Sequence, residues 1–356
     1  MHQKVSSLSL RIKIFVATQI LNLVLFKEAN TFILQVMRYN VKHESLQAFL
    51  NPVTLRISVI LSLLNPRKIP LATAAEKEGK DPFFLIGSGR SGTTLLRTIV
   101  NQHPELCIPP ESHGAIPNAV KQYYRGGENG WQKLIALSLG EFLRHTNFRL
   151  WKTDLQKNIN ELYTLKSEEQ SLSAIINYIY AEYIKKHKTG ASRWGDKTPF
   201  NTLRIKWLLK LYPQAKFIFV LRDPRAVASS FRKSEINPSL KESSLRWKAS
   251  IEAFENLEKN SKGSTLLIKY EDLVIEPEAV TRKVCAFLEI DFLANMLTER
   301  RAFSGDGTIA HHKNSQQKIN RTSLQKWREL LNKEEIKSIE AITGSLITKY
   351  GYHKDY

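Results

Sequence analysis

Residues 87–95 read GSGRSGTTL, which packs three glycines, four hydroxyls and one arginine into nine positions. Glycines let a backbone turn tightly and let an anion approach it closely. Successive N–H groups and the start of the following helix then point at that anion. The chemistry implied is the holding of a phosphate. A loop built for ATP or GTP reads G-x-x-x-x-G-K-[ST]. Here the spacing from Gly87 to Gly92 is kept, but Thr93 stands at the lysine position. That lysine normally helps neutralise the β- and γ-phosphates, with Mg²⁺ at the next hydroxyl. The sequence also gives no clear strand ending in a metal-holding Asp downstream. A group with less negative charge than a terminal phosphoryl, such as a sulfuryl group, needs less of this apparatus. Arg90, the hydroxyls of Thr93 and Thr94 and the backbone N–H groups suffice for it.

A second anion signature lies in FIFVLRDPRAVASSF, residues 217–231. Arg222 falls at the carboxyl end of an apolar run, the edge where open sheets place ligands, and Pro224 suits the start of a helix. The forked donors of arginine suit a phosphate. Two anion sites after two strands of one sheet fit one bis-phosphorylated nucleotide. Transfer to a hydroxyl also needs a base near the acceptor oxygen. Glu111, in IPPESHG (108–114), borders the anion site on a loop stiffened by Pro109 and Pro110. His113 is the rival, since a neutral imidazole is poised near pH 7; it otherwise lines the acceptor pocket.

These residues need a rigid frame, and the sequence supplies one. Phe83–Ile86, KFIFVL (216–221) and TLLIKY (265–270) are continuous apolar runs, the pattern of strands covered on both faces. Helical patterns occupy about 92–101, 132–144, 157–187, 200–211, 223–233, 240–260 and 277–289, with a loop at 304–322 and a last helical segment at 323–350. The fold class is α/β, an open parallel sheet of the phosphate-loop type clothed in helices. Residues 5–26, 28–50 and 53–64 also have a helical texture. The charged stretch 67–82, with Pro70, Gly79 and Pro82, looks like a linker. The expected division is an N-terminal helical extension and linker (1–80) and a catalytic domain (81–356).

The chain of 356 residues has a formal charge of +19, so an anionic partner is expected. Without a Cys/His zinc pattern or a basic recognition helix, nucleic acid is not expected. Cys107 and Cys285 make no disulfide framework and suit a reducing, cytoplasmic setting. The apolar stretch at 12–26 is about fifteen residues long, shorter than the ~20 that span a bilayer. It reads as an amphipathic or buried helix, with peripheral membrane contact through residues 5–26, or a span by 12–26, as the alternatives left open.

Taken together, RSGTTLL (90–96), HPE (103–105) and the acidic residue shortly after resemble the sulfotransferases that use 3'-phosphoadenosine-5'-phosphosulfate (PAPS). Within that family they are similar to the protein-tyrosine sulfotransferases and their broad bacterial relatives. The resemblance covers residues 83–350. It implies a sulfotransferase fold, with PAPS as sulfuryl donor and no metal. Arg90, Ser91, Gly92, Thr93 and Thr94 would bind the 5'-phosphosulfate, Arg222 and Ser230 would grip the 3'-phosphate, and Glu111 matches the catalytic glutamate. Lys197, in WGDKTP (194–199), resembles the lysine that meets the transferred group, although the order here is D-K-T-P rather than K-D-P. Tyr270, in the YEDL shape, would support Arg222 or the 3'-phosphate. The 305–327 loop, with Lys313, Asn320, Arg321 and Trp327, resembles a segment that closes over the nucleotide. The acceptor stays open, because His113 replaces an arginine of the tyrosyl-type motif. A hydroxyl-bearing acidic glycan, peptide or lipid, or a small molecule, is allowed, as is a homo-oligomer. The alternatives are a Mg-dependent ATP/GTP phosphotransferase with an atypical loop and a noncatalytic anion-binding adaptor.

Overall fold

The computed structural model describes residues 69–78, 81–234, 239–261, 263–298, 321 and 324–356. Its centre is a parallel five-stranded sheet in the order β2-β3-β1-β4-β5. The strands are β1 (Phe83–Gly87), β2 (Leu106–Cys107), β3 (Arg193–Lys197), β4 (Lys216–Leu221) and β5 (Thr265–Lys269). After β1 the chain visits β2 and β3 on one side, then crosses to β4 and β5 on the other. The crevice at the carboxyl ends of β3, β1 and β4 is therefore the topological switch point.

Alternate side chains of β1 and β4 enter different cores. Phe84, Ile86, Phe217 and Phe219 join one cluster, while Phe83, Leu85, Ile218 and Val220 join another. Helices cover both faces, which is why these strands read as unbroken apolar runs. The helices that matter for the site are α1 (Thr93–Val100), α2 (Ala115–Tyr124), α3 (Ile205–Leu211), α4 (Pro224–Lys233), α5 (Leu240–Asn260) and α6 (Tyr270–Ile275).

Several local expectations need correction. The pattern at 157–187 is not one helix. Asn160–Tyr163 makes one turn, and a new helix runs Leu172–His187 after Ser171, whose side chain accepts from the Ala174 N–H at 2.8 Å. Such an N-cap satisfies an otherwise orphaned donor and starts a helix afresh. The strand expected at 265–270 ends at Lys269, and Tyr270 opens α6. The final segment breaks into Trp327–Leu330, Lys333–Thr343 and Ser345–Lys349, through the Asn332 capping box and Gly344 at φ 60°. β2, β3 and α2 were not expected.

Residues 69–78 lie against the sheet domain. Tyr123 Oη donates to the Ile69 carbonyl at 2.8 Å, and Ser171 Oγ donates to Glu76 at 2.8 Å. Both cysteines are free and buried, and burial pushes each thiol up to about 11. Among the described residues no helix is long and apolar enough to cross a membrane. The N-terminal segments at 5–26, 28–50 and 53–64, the 304–320 part of the loop, and with it Lys313 and Asn320, lie outside the described residues.

Candidate active site

The loop after β1 turns through left-handed conformations at Gly89 (φ 83°), Arg90 (φ 55°) and Gly92 (φ 101°). At Gly92 a Cβ would stand 2.2 Å from Cδ2 of Tyr270, so only glycine lets that ring close against the loop. The loop feeds α1, whose first turn carries no acidic residue and whose N-cap Gly92 offers no side-chain cap. Its leading N–H groups thus face an open, electropositive end suited to an anion. Thr93 is buried, and Ser91 Oγ is buried without a hydrogen-bond partner among the described residues.

The second signature meets the first directly. Arg222, just past β4, donates through Nη1 to the Arg90 carbonyl at 3.2 Å. The Arg90 Nε donates to Ser230 Oγ, on α4, at 3.1 Å. The Arg222 guanidinium lies over the Tyr270 ring, 4.3 Å from its centroid, within the range of a cation–π contact. Arg90, Gly92, Arg222, Ser230 and Tyr270 thus form one cradle. Burial, and then the charge of Arg222, draw the Arg90 guanidinium below its ordinary value, while Glu111 pulls it back up. Two guanidinium groups held this close call for an anion between them.

The neighbouring strand supplies the other half. Register places Lys197 of β3 opposite Leu85 of β1. Its ammonium, on a side chain only 1% exposed, pairs with Glu111 Oε1 and donates to Thr94 Oγ1 at 3.3 Å. Phosphate loop, buried cation and carboxylate thus form one continuous chain of contacts. Asp196 turns away from it, accepting from Tyr180 Oη at 2.7 Å and Asn201 Nδ2 at 2.9 Å, and burial raises its carboxyl. It anchors the strand end.

Positioning residues surround this core, and few of them were legible in sequence. Arg97 of α1, 2% exposed, donates Nε and Nη2 to the Ile108 carbonyl at 3.0 and 2.9 Å. Asn101 accepts the Ile108 N–H at 2.8 Å. The helix that follows the glycine loop therefore also fixes the loop carrying Glu111. Thr202 both accepts from and donates to Gly87, at 2.9 and 2.8 Å, while Thr198 Oγ1 accepts the Ser112 N–H at 3.1 Å. Trp247 Nε1 donates to the Arg222 carbonyl at 2.8 Å. Arg97→Met should strand the buried Ile108 carbonyl and cost about 1–3 kcal/mol, read as a lower urea midpoint with unchanged slope.

His113 has φ 50° and its Nε2 meets Asn147 Nδ2, with the His145 ring centroid 5.8 Å away. These contacts tie it to Asn147 and His145 rather than to Lys197. Arg321 donates to the Ile275 carbonyl at 3.3 Å, at the far end of the helix that Tyr270 opens. Arg246 of α5 was not foreseen. Its guanidinium lies 5.8 Å from the Phe200 ring and 5.7 Å from Phe231, and burial lowers it while Glu111 opposes the shift. Within a helix rich in Lys and Glu it carries no distinguishing signal.

An open parallel sheet with a lysine-less phosphate loop, an arginine–serine cradle after the neighbouring strand and a Glu–Lys pair between defines the nucleotide-dependent sulfuryl-transfer fold. Comparison with known proteins agrees. Residues 82–294 match the family model described as "Sulfotransferase family", and the chain belongs to that family. A putative protein-tyrosine sulfotransferase of Caenorhabditis briggsae is 26% identical over 273 residues, covering 74% of this chain and 86% of that protein. Nodulation protein NoeE of Sinorhizobium fredii is 25% identical over 303 residues, 76% of this chain and 66% of its own length. Among solved structures, the sulfotransferase domain from the curacin biosynthetic pathway superposes with a TM-score of 0.53 at 22% identity, covering 77% of this chain and 99% of that one. The chain is an enzyme, a sulfotransferase of the PAPS-using family related to the tyrosine sulfotransferases.

Proposed function

We propose that this enzyme moves the sulfuryl group in-line to an acceptor hydroxyl lying against Glu111. The observation that carries the reading is the unbroken contact chain from Thr94 through Lys197 to Glu111, beside the Arg90–Arg222–Ser230 cradle. The residues present fit PAPS. The cradle of Arg222, Ser230, Arg90 and Tyr270 would hold the 3'-phosphate, and the N–H groups of 91–94 with the Ser91, Thr93 and Thr94 hydroxyls would hold the 5' end. When bound, the donor supplies an activated sulfuryl group, whose transfer makes a sulfate ester and leaves 3'-phosphoadenosine-5'-phosphate.

The chain's own groups do the rest. Glu111 receives the acceptor proton as the new oxygen–sulfur bond forms. Lys197 steadies charge growing on the leaving oxygen, a role in which a water-excluded cation is most effective. Arg90 stands between the two ends and neutralises both. His113 lines the acceptor side, and Lys313 and Arg321 belong to the segment that would cover the nucleotide.

Residues 1–80 are assigned as an extension of the 81–356 domain, with peripheral membrane contact through 5–26. A cytoplasmic location with membrane association and a homo-oligomeric state belong to the same proposal.

The test is transfer of ³⁵S from labelled PAPS to a panel of hydroxyl acceptors in metal-free buffer. Label appearing on an acceptor, with release of 3'-phosphoadenosine-5'-phosphate, supports the reading. Absolute dependence on Mg²⁺ and ATP would replace it with phosphoryl transfer.

A further inference from the structure

Beside the loop that carries Glu111 and His113 stands a group of cations packed on aromatic rings. Phe200 lies between two guanidinium groups, Arg204 at 4.1 Å and Arg246 at 5.8 Å from its ring centroid. Arg204 Nη1 would be 3.1 Å from a Cβ on Gly114, so it borders the loop that carries Glu111 and His113. From there a row of polar positions climbs α2. Asn118 accepts from Arg204 at 2.9 Å, and Lys121 and Arg125 follow at three- and four-residue spacing on the same helical face. From Gly114 to Arg125 the row rises roughly 16 Å.

Packed against α2, the helix α3 adds Lys206, Trp207 and Lys210. The half-buried Trp207 indole has three ammonium groups over it, those of Lys121 at 5.9 Å, Lys206 at 5.6 Å and Lys210 at 5.5 Å from its centroid. Lys206 and Lys210 are exposed.

Among the described residues, counter-charge is scarce here. Glu141 is the carboxylate that acts on Lys121, Arg125 and Arg204, and it is itself paired with Arg144 at 2.7 Å. Burial, with Arg204 and Arg125 next, draws the Lys121 ammonium down to about 8. One carboxylate shared by four cations leaves a field that favours an incoming anion.

The geometry points to this strip, from Arg204 through Lys121 to the Trp207 platform, as the acceptor-chain subsite, and to an anionic oligosaccharide as its occupant. The inference deepens the sulfotransferase reading and rests on it. An acidic peptide would use the cations, but it would lie on the indole only where its sequence happened to supply an apolar or aromatic side chain. A sugar ring offers an apolar C–H face to lie against an aromatic surface, and its carboxylate or sulfate groups reach the three ammonium groups beside it. Cations spaced along two packed helices, Lys121 and Arg125 from α2 and Lys206 and Lys210 from α3, also suit a stiff, evenly charged chain.

The experiment compares three acceptors with the full chain: a glucuronate-containing hexasaccharide, a neutral hexasaccharide of matched length, and an acidic tyrosine peptide. The expected result is transfer to the acidic hexasaccharide with kcat/KM at least tenfold above the neutral one, and above the peptide. In the Lys121→Ala/Lys206→Ala/Lys210→Ala variant, KM for the acidic hexasaccharide should rise about tenfold or more, a loss steepest at low salt. The kcat and the affinity for 3'-phosphoadenosine-5'-phosphate should stay as in wild type, which also reports that the variant is folded. Trp207→Ala should raise KM for both hexasaccharides.

Preference for the peptide, equal use of the neutral sugar, or an unchanged KM in the triple variant would overturn the inference. No transfer to the acidic hexasaccharide, while 3'-phosphoadenosine-5'-phosphate still binds, would also overturn it and leave the sulfotransferase reading standing. If that nucleotide failed to bind wild type, the sulfotransferase reading itself would fall.

Discussion

Glu111→Gln is expected to lower kcat by roughly 10²–10⁴-fold, the usual worth of a positioned general base, with PAPS binding nearly unchanged. Glutamine keeps the shape and an oxygen that accepts from Lys197, so the β3 contact survives while the proton acceptor is lost. Glu111 sits on the loop that Arg97 and Asn101 pin to α1, so its position does not depend on its own charge. His113 supplies the internal comparison. Its imidazole is engaged by Asn147 and lies beside His145. His113→Ala should therefore disturb acceptor KM more than kcat. Steady-state kinetics of both variants separate the two bases, since the reverse pattern would make His113 the base.

Lys197→Met should be nearly as damaging, with about 10²–10³-fold lost from kcat, the magnitude seen when one preorganised stabiliser of transition-state charge is removed. The methionine fills the apolar volume of the lysine stem, but Glu111 then loses its ammonium partner. Because Lys197 is almost fully buried and also reaches Thr94, its charge is fixed and little screened by water. Lys197→Arg should not rescue, because a forked guanidinium needs more space than the ammonium it replaces. Single-turnover kinetics with saturating PAPS check this. A fall confined to PAPS binding would make Lys197 a binding residue only.

Much of the frame was legible because β1, β4 and β5 are apolar on both faces. The loop was legible because Gly87, Gly89 and Gly92 stand at the spacing an anion cradle needs. β3 was not legible. It reads RWGDK, with Gly195 directly under the Phe83 ring and two charged residues buried beside it, so neither alternation nor an apolar run marks it. A Cβ on Gly195 would stand 2.5 Å from the Phe83 ring, which is why this strand has no side chain there. α2 was hidden by Pro117, which normally argues against a helix interior but here lies in the first turn, where its missing N–H costs little.

For the site, residue types indicated Arg222 and, with His113 as its rival, Glu111, while Lys197 and Ser230 entered through the family resemblance; the contacts among them were not legible. Lys197 meets Glu111 because β2, whose following loop carries Glu111, pairs with β3, and it meets Thr94 because β3 pairs with β1, both long-range consequences of strand order. Arg97, Thr198, Thr202 and Arg246 carry no local signal, since their work is to hold backbone groups or field a charge across the fold.

The central claim is that the loop after β1 and the arginine after β4 hold opposite ends of one adenosine nucleotide. Calorimetry of 3'-phosphoadenosine-5'-phosphate against adenosine 5'-monophosphate, with wild type and Arg222→Ala, measures it most directly. The two ligands differ only in the 3'-phosphate. Wild type should bind the bisphosphate at least roughly 10–100-fold more tightly, as charge-assisted hydrogen bonds of about 1.5–3 kcal/mol require, and Arg222→Ala should remove most of that difference while leaving the monophosphate affinity alone. Equal affinities in wild type, or a preference that survives Arg222→Ala, would contradict it.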